Sequence, residues 1–110
     1  MCIVARMDRI YRETLLFDFY GELLTEHQRN IYEEVVFEDC SLGEVAERHK
    51  VSRQSVHDIV RRSRKTLEGY EAKLGLVEKF LHFKERINTI KTLTDDERIR
   101  KLADEMLEEL

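Results

Sequence analysis

The sequence predicts an all-α fold that contains a helix-turn-helix and continues into a C-terminal helical extension. Its 110 residues include no proline and only four glycines, Gly21, Gly43, Gly69 and Gly75, so helices can run uninterrupted, whereas a sandwich or barrel needs many turn residues. Apolar residues recur at steps of three and four along most of the chain. Three Thr/Ser-x-x-Glu/Gln boxes, Thr25 with Gln28, Ser41 with Glu44 and Thr94 with Glu97, mark helix starts. In such a box the hydroxyl accepts from the third residue's amide while that residue's side chain reaches back. The length suits one compact domain with an extension, and the 42% hydrophobic content is enough for a core. Charged residues, at 38%, exceed the roughly 25% of an average soluble protein and fit solvated helix faces.

Met7, Ile10, Tyr11, Leu15, Phe19 and Leu23 share a helical spacing and predict a first helix over residues 5–23. A second, over residues 26–37, carries Ile31, Tyr32, Val35 and Val36 as its buried stripe. After the polar Glu38-Asp39-Cys40 connection, Leu42, Val45 and Ala46 define a short third helix ending near His49. Ser52 caps a fourth, whose core positions are Val56, Ile59, Val60 and Leu67. Tyr11, Tyr20, Tyr32 and Tyr70 sit on apolar stripes and are expected in the core.

Leu67, Tyr70, Leu74, Val77 and Leu81 then continue with the spacing of a helix–helix seam, with Gly69 and Gly75 as points of interruption. Residues 76–90 are apolar around about half the helical circumference, wider than the stripe of roughly 100° that one core contact needs. Burial on two sides follows, and Leu74, Val77, Phe80, Leu81, Phe83 and Ile87 are expected to mediate self-association as a homodimer. A last helix over residues 95–109 places Ile99, Leu102, Ala103, Met106 and Leu110 along one face. The expected organisation is an N-terminal helical domain over residues 1–66, with the helix-turn-helix at about 41–65, and an extension over 67–110.

Several function classes are disfavoured by pattern. Arg6, Asp8, Arg9, Arg12 and Glu13 interrupt the N-terminal stretch and no run of about 18 apolar residues occurs, so neither a secretion signal nor a membrane span is expected. Cys2 and Cys40 form no Cys-x-x-Cys pair, which points to a reducing cytoplasm rather than a disulfide scaffold. His27, His49, His57 and His82 lack metal-ligand spacing, and no phosphate loop or nucleophile elbow accompanies the scattered carboxylates. No metal, no cofactor and no enzymatic activity are expected.

The net charge of −4 conceals a segregation. Residues 48–65 hold seven cations against the single acid Asp58, a local +6 that leaves −10 for the rest. Such a block is an electrostatic footprint for a polyanion. It coincides with a short helix, a tight turn and a longer helix, the layout of a helix-turn-helix. The outward face of the longer helix collects Arg53, Gln54, His57, Asp58, Arg61, Arg64 and Lys65. Arg53, Gln54 and His57, nearest its N-terminus, are the candidates for base edges, and Arg61, Arg64 and Lys65 for phosphates. Ser52 and Ser55 can present hydroxyls or amides to a phosphate at the positive helix end.

Leu24-Thr-Glu-His-Gln-Arg, Ser41-Leu-Gly-Glu-Val-Ala and Val51-Ser-Arg-Gln-Ser-Val together resemble region 4 of sigma-70-type factors, a helix-turn-helix that reads promoter DNA. Phe17-Asp-Phe-Tyr, Leu23-Leu-Thr, Val51-Ser-Arg-Gln-Ser-Val-His-Asp and Leu67-Glu-Gly-Tyr-Glu-Ala-Lys-Leu extend the likeness to the YlxM family of small Gram-positive proteins, over about residues 15–76. The resemblance implies a regulatory or accessory role in the signal recognition particle pathway, with its GTPases as partners. Lys50 stands where many helix-turn-helix units have a glycine of positive φ, and His57 and Cys40 stand where the family suggests tyrosine.

Two readings follow. In one, the protein binds duplex DNA and acts in transcription as a dimer. In the other, the same basic helix engages signal recognition particle RNA or an acidic protein without reading a DNA sequence, since A-form RNA is recognised by shape and backbone.

Overall fold

The computed structural model describes residues 2–110, with side chains from Arg9 onward, so Met7 lies outside the described side chains. Every element among them is helical: α1 (Cys2–Tyr20), a 3-10 turn (Gly21–Leu23), α2 (Glu26–Val36), α3 (Leu42–His49), α4 (Arg53–Leu74), α5 (Leu76–Leu93) and α6 (Glu97–Glu109). The chain divides into two compact units, Met1–Leu74 and Gly75–Leu110. The division falls at Gly75 rather than after residue 66, because α4 runs unbroken past Gly69 and buries Leu67 and Glu71. Gly75 ends the run with φ 63°, a left-handed conformation that only glycine adopts without strain.

In the first unit α4 packs against α1, α2 and α3. Its buried stripe is Val56, Val60, Ser63, Leu67 and Glu71, at steps of four, three, four and four. Ile31 and Tyr32 from α2, and Val45 and Ala46 from α3, meet it. Ala46 is small at the close crossing of α3 and α4. Burial of this set supplies the stability of the unit, each large side chain contributing about 1.5–3 kcal/mol.

The first helix differs from expectation. It ends at Tyr20, and its buried face carries Leu15, Leu16 and Tyr20, while Ile10, Tyr11, Phe19 and Leu23 are exposed. The face turns because the Tyr20 hydroxyl donates to Glu71 Oε1 at 2.7 Å and Phe17 stacks on Tyr32 with ring centroids 5.7 Å apart. Tyr11 is thereby outside the core where the stripe had placed it.

Of the three capping boxes, Thr25 is complete: its Oγ1 accepts from the Gln28 amide at 3.2 Å and Gln28 Oε1 accepts from the Thr25 amide at 3.2 Å. Ser41 Oγ accepts from the Glu44 amide at 3.1 Å, while Glu44 returns to the hydroxyl instead of the backbone. The third is a correction. Asp96, not Thr94, caps α6, its Oδ1 accepting from the Arg98 amide at 2.9 Å, and Thr94 Oγ1 accepts from the Asp96 amide. A carboxylate is the stronger acceptor and suits the positive helix end, so it displaces the hydroxyl two residues earlier.

In the second unit α5 and α6 pack together, with Lys91 Nζ 2.5 Å from Asp104 Oδ1.

Candidate nucleic-acid interface

The turn between α3 and α4 is built around a left-handed lysine. Lys50 has φ 57° and ψ 44°, its amide donates to Glu47 O, and the Val51 amide donates to Ala46 O at 3.0 Å. This is the reciprocal pairing of a Schellman end, with a non-glycine residue at the left-handed position. Ser52 Oγ then accepts from the Ser55 amide at 3.0 Å and starts α4. Two caps separated by one residue therefore fix the approach of α4 to α3.

The α3 end is also tied to α2. Glu34 lies against Arg48, and its Oε2 is 2.5 Å from His49 Nε2. Partial burial alone raises the Glu34 carboxyl, but the hydrogen bonds from His49 and Arg48 outweigh it and hold the group below its ordinary range. Arg48 is thus paired within the fold although its side chain stays half exposed.

Each sequence-predicted contact residue has a defined place. Ser52 is exposed but its oxygen is engaged as a cap, and Ser55 is half-buried. Arg53 lies over α3: a β-carbon built on Gly43 would stand 3.1 Å from its Nη2. Gln54 Nε2 donates to Asp58 Oδ1 at 3.2 Å, and the same carboxylate is 3.8 Å from both His57 Nδ1 and Arg61 Nη2. His57, Arg61 and Lys65, at successive steps of four, form the most prominent line of the face, with Arg61 71% exposed.

Arg64, expected at a phosphate, is half exposed and paired within the fold. Its Nε is 3.2 Å from Glu13 Oε1, an oxygen of a largely buried side chain, so it joins α4 to α1. Tyr32 sits beside this pair, its hydroxyl pushed up to about 12, chiefly by burial and then by the Glu13 charge. Arg61, Arg64 and Lys65 rim a half-open cavity of about 510 Å³ floored by Leu16, Tyr32 and Leu67.

Arg62 is not among the expected contacts, yet at 100° per residue it lies about 140° from the centre of the buried stripe, it is exposed, and no ion pair joins it to another described residue. Its place in the basic run was the available signal. Arg53, Arg62 and Lys65 therefore carry charge uncompensated by ion pairs among the described residues, with Arg61 only loosely held. The seven cations of residues 48–65 contract to a smaller working set.

The expected self-association residues do not share one open face. Val77 and Ile87 are buried in the chain itself and Phe80 is half-buried, whereas Leu74, Leu81 and Phe83 are exposed. Among the described residues no group of three His, Cys, Asp or Glu side chains could hold a metal ion, and no helix is long and apolar enough to cross a membrane.

The chain matches, over residues 7–110, the family described as "UPF0122: Putative helix-turn-helix protein, YlxM / p13 like". A UPF0122 protein of Acetivibrio thermocellus is 42% identical over 94% of this chain and 97% of its own length. One from Oceanobacillus iheyensis is 45% identical over 89% of this chain and 97% of its own. The UPF0122 protein YlxM of Bacillus subtilis is 42% identical over 94% of this chain and 97% of its own. With the helix-turn-helix geometry and this near full-length similarity together, the chain belongs to the YlxM / p13-like helix-turn-helix family.

Proposed function

We propose that the protein is a nucleic-acid-binding regulator that lays residues 53–65 of α4 in the major groove of duplex DNA. The observation that supports this best is the exposed line of His57, Arg61 and Lys65, with Gln54 beside it, directly after a doubly capped turn that fixes α4. A B-form major groove about 12 Å wide admits one such helix. Gln54, His57 and Arg53 contact base edges there, and Arg61, Arg62 and Lys65 contact phosphates. The role is binding, not catalysis, and it is exercised in the cytoplasm.

A second reading rests on Asp58. This carboxylate lies amid Gln54, His57 and Arg61 and repels any phosphate that comes close to the centre of the face. Contact through the flanks, as on RNA backbone or on the signal recognition particle's GTPases, avoids that repulsion. The resemblance to the YlxM family supports a partner in the signal recognition particle pathway.

Salt-titrated fluorescence anisotropy on genomic duplex fragments, signal recognition particle RNA and the particle's GTPase separates the two. DNA reading is expected to show Gln54→Ala weakening only preferred sequences, and Lys65→Ala weakening all sequences while lowering the salt slope by about 1. Tighter binding to the RNA or the GTPase, with weak DNA binding indifferent to Gln54→Ala, overturns the first reading in favour of the second.

A further inference from the structure

The unit Gly75–Leu110 leaves much of its apolar surface open. Along α6, Ile99, Leu102, Met106 and Leu110 are 42, 60, 48 and 47% exposed, at steps of three, four and four. They form one stripe along the whole helix. Ala103 is buried, and the flank it shares with Asp104 is turned to α5, where Lys91 meets Asp104. The open stripe is the neighbouring flank, not the internal seam of the unit. Phe83, Ile90 and Leu93 on α5 are exposed as well. Contiguous apolar surface of this kind marks an interaction site.

The charges along α6 indicate what covers the stripe. Its first half carries Arg98, Arg100 and Lys101, and its second half Asp104, Glu105, Glu108 and Glu109. At 100° per residue, Arg98, Glu105 and Glu109 fall within about 40° of one another, on one edge of the stripe. When two helices pack antiparallel, like edges face each other, so this edge is complementary to itself. The last turn is acidic with no basic residue, the wrong sign for the negative end of the helix's own dipole. An antiparallel copy brings a positive helix end and two cations to that end.

We propose that α6 pairs antiparallel with α6 of a second copy of this chain about a two-fold axis near Leu102 and Ala103. Ile99 meets Met106 of the partner subunit, and Arg98 meets Glu109 of the partner subunit and Glu105 of the partner subunit. Each contact occurs twice, as an isologous interface requires. The inference rests on the second unit alone and does not depend on nucleic-acid binding.

Sedimentation velocity of the full chain over a concentration series tests it, with circular dichroism to confirm that each variant remains helical. The wild type is expected to be a dimer. The substitution Arg98→Glu and the double substitution E105K/E109K are each expected to raise the dissociation constant by about tenfold or more. Mixing the two variants is expected to restore a heterodimer of wild-type affinity, and Leu102→Asp is expected to be monomeric. A wild type that stays monomeric at about 100 μM, where even a weak specific pair associates, overturns the proposal. So does a dimer that survives both reversals, or a pair of reversed variants that fails to recover on mixing.

Discussion

Lys50 concentrates the local cost of the helix-turn-helix in one residue. A left-handed backbone costs a residue with a β-carbon roughly 1–2 kcal/mol, while glycine in its place loses more backbone entropy on folding, an opposing cost of about 0.5–1 kcal/mol. Lys50→Gly is therefore expected to stabilise the protein by about 0.5–1 kcal/mol, read as a higher midpoint in urea at unchanged slope. Destabilisation would mean that the lysine side chain contributes more than its backbone costs. The resemblance to helix-turn-helix units marked position 50 as a place for a positive φ, and Lys50 adopts it although glycine is absent. The fate of Arg53 and Arg64 was not legible. At 100° per residue both lie only about 40–60° from the centre of the buried stripe of α4, but that Gly43 leaves room for Arg53 and that Glu13 pairs with Arg64 depends on elements distant in sequence.

At the scale of elements, two joints hold α3 in place. The first is the Ser52 cap: Ser52→Ala removes the acceptor for the Ser55 amide and is expected to cost about 1 kcal/mol, measured by thermal or urea unfolding. The second is Glu34, which binds α2 to the end of α3 through Arg48 and His49. Its carboxyl is held below its ordinary value in the folded chain, so the native state favours the ionised form. That contribution is fully present above the unfolded value, about 4.3, and is lost as pH falls through the folded value. Glu34→Gln is expected to lower stability at neutral pH and to flatten the acid limb of the stability profile. An acid limb as steep as the wild type's would show that other carboxylates govern it. The sequence carried the helix starts at Thr25, Ser41 and Ser52 because each is a local signal within four residues. It did not carry the Glu34 joint or the turned face of α1, since both depend on partners brought close by packing: Arg48 and His49 to Glu34, Glu71 to Tyr20.

At the scale of the whole molecule, an acidic chain carrying a cationic block has an unusual dependence on salt. Arg61, Arg62 and Lys65 are the cations assigned to phosphates, and three phosphate contacts predict a slope of about −2.7 for log K against log salt. At physiological ionic strength the screening length is about 8 Å, so a bound polyanion feels the block and little of the charge of −10 carried elsewhere. At about 0.01 M it grows to about 30 Å, larger than the radius of a domain of this size, and the acidic remainder repels the ligand whatever its arrangement. Affinity for duplex DNA is therefore expected to rise along that slope as salt falls toward about 0.1 M, and to level off below about 0.03 M instead of rising further. Asp58→Asn is expected to raise affinity at every salt concentration, because Asp58 lies within the face at 3.8 Å from Arg61 and His57 and is not screened from a ligand seated there. Anisotropy titrations of both proteins from 0.3 M to 0.01 M salt, about 1.5 decades, resolve the two behaviours. A wild-type line that stays straight to the lowest salt would show that the acidic remainder does not reach the bound nucleic acid, and an unchanged affinity for Asp58→Asn would place the ligand away from the centre of α4.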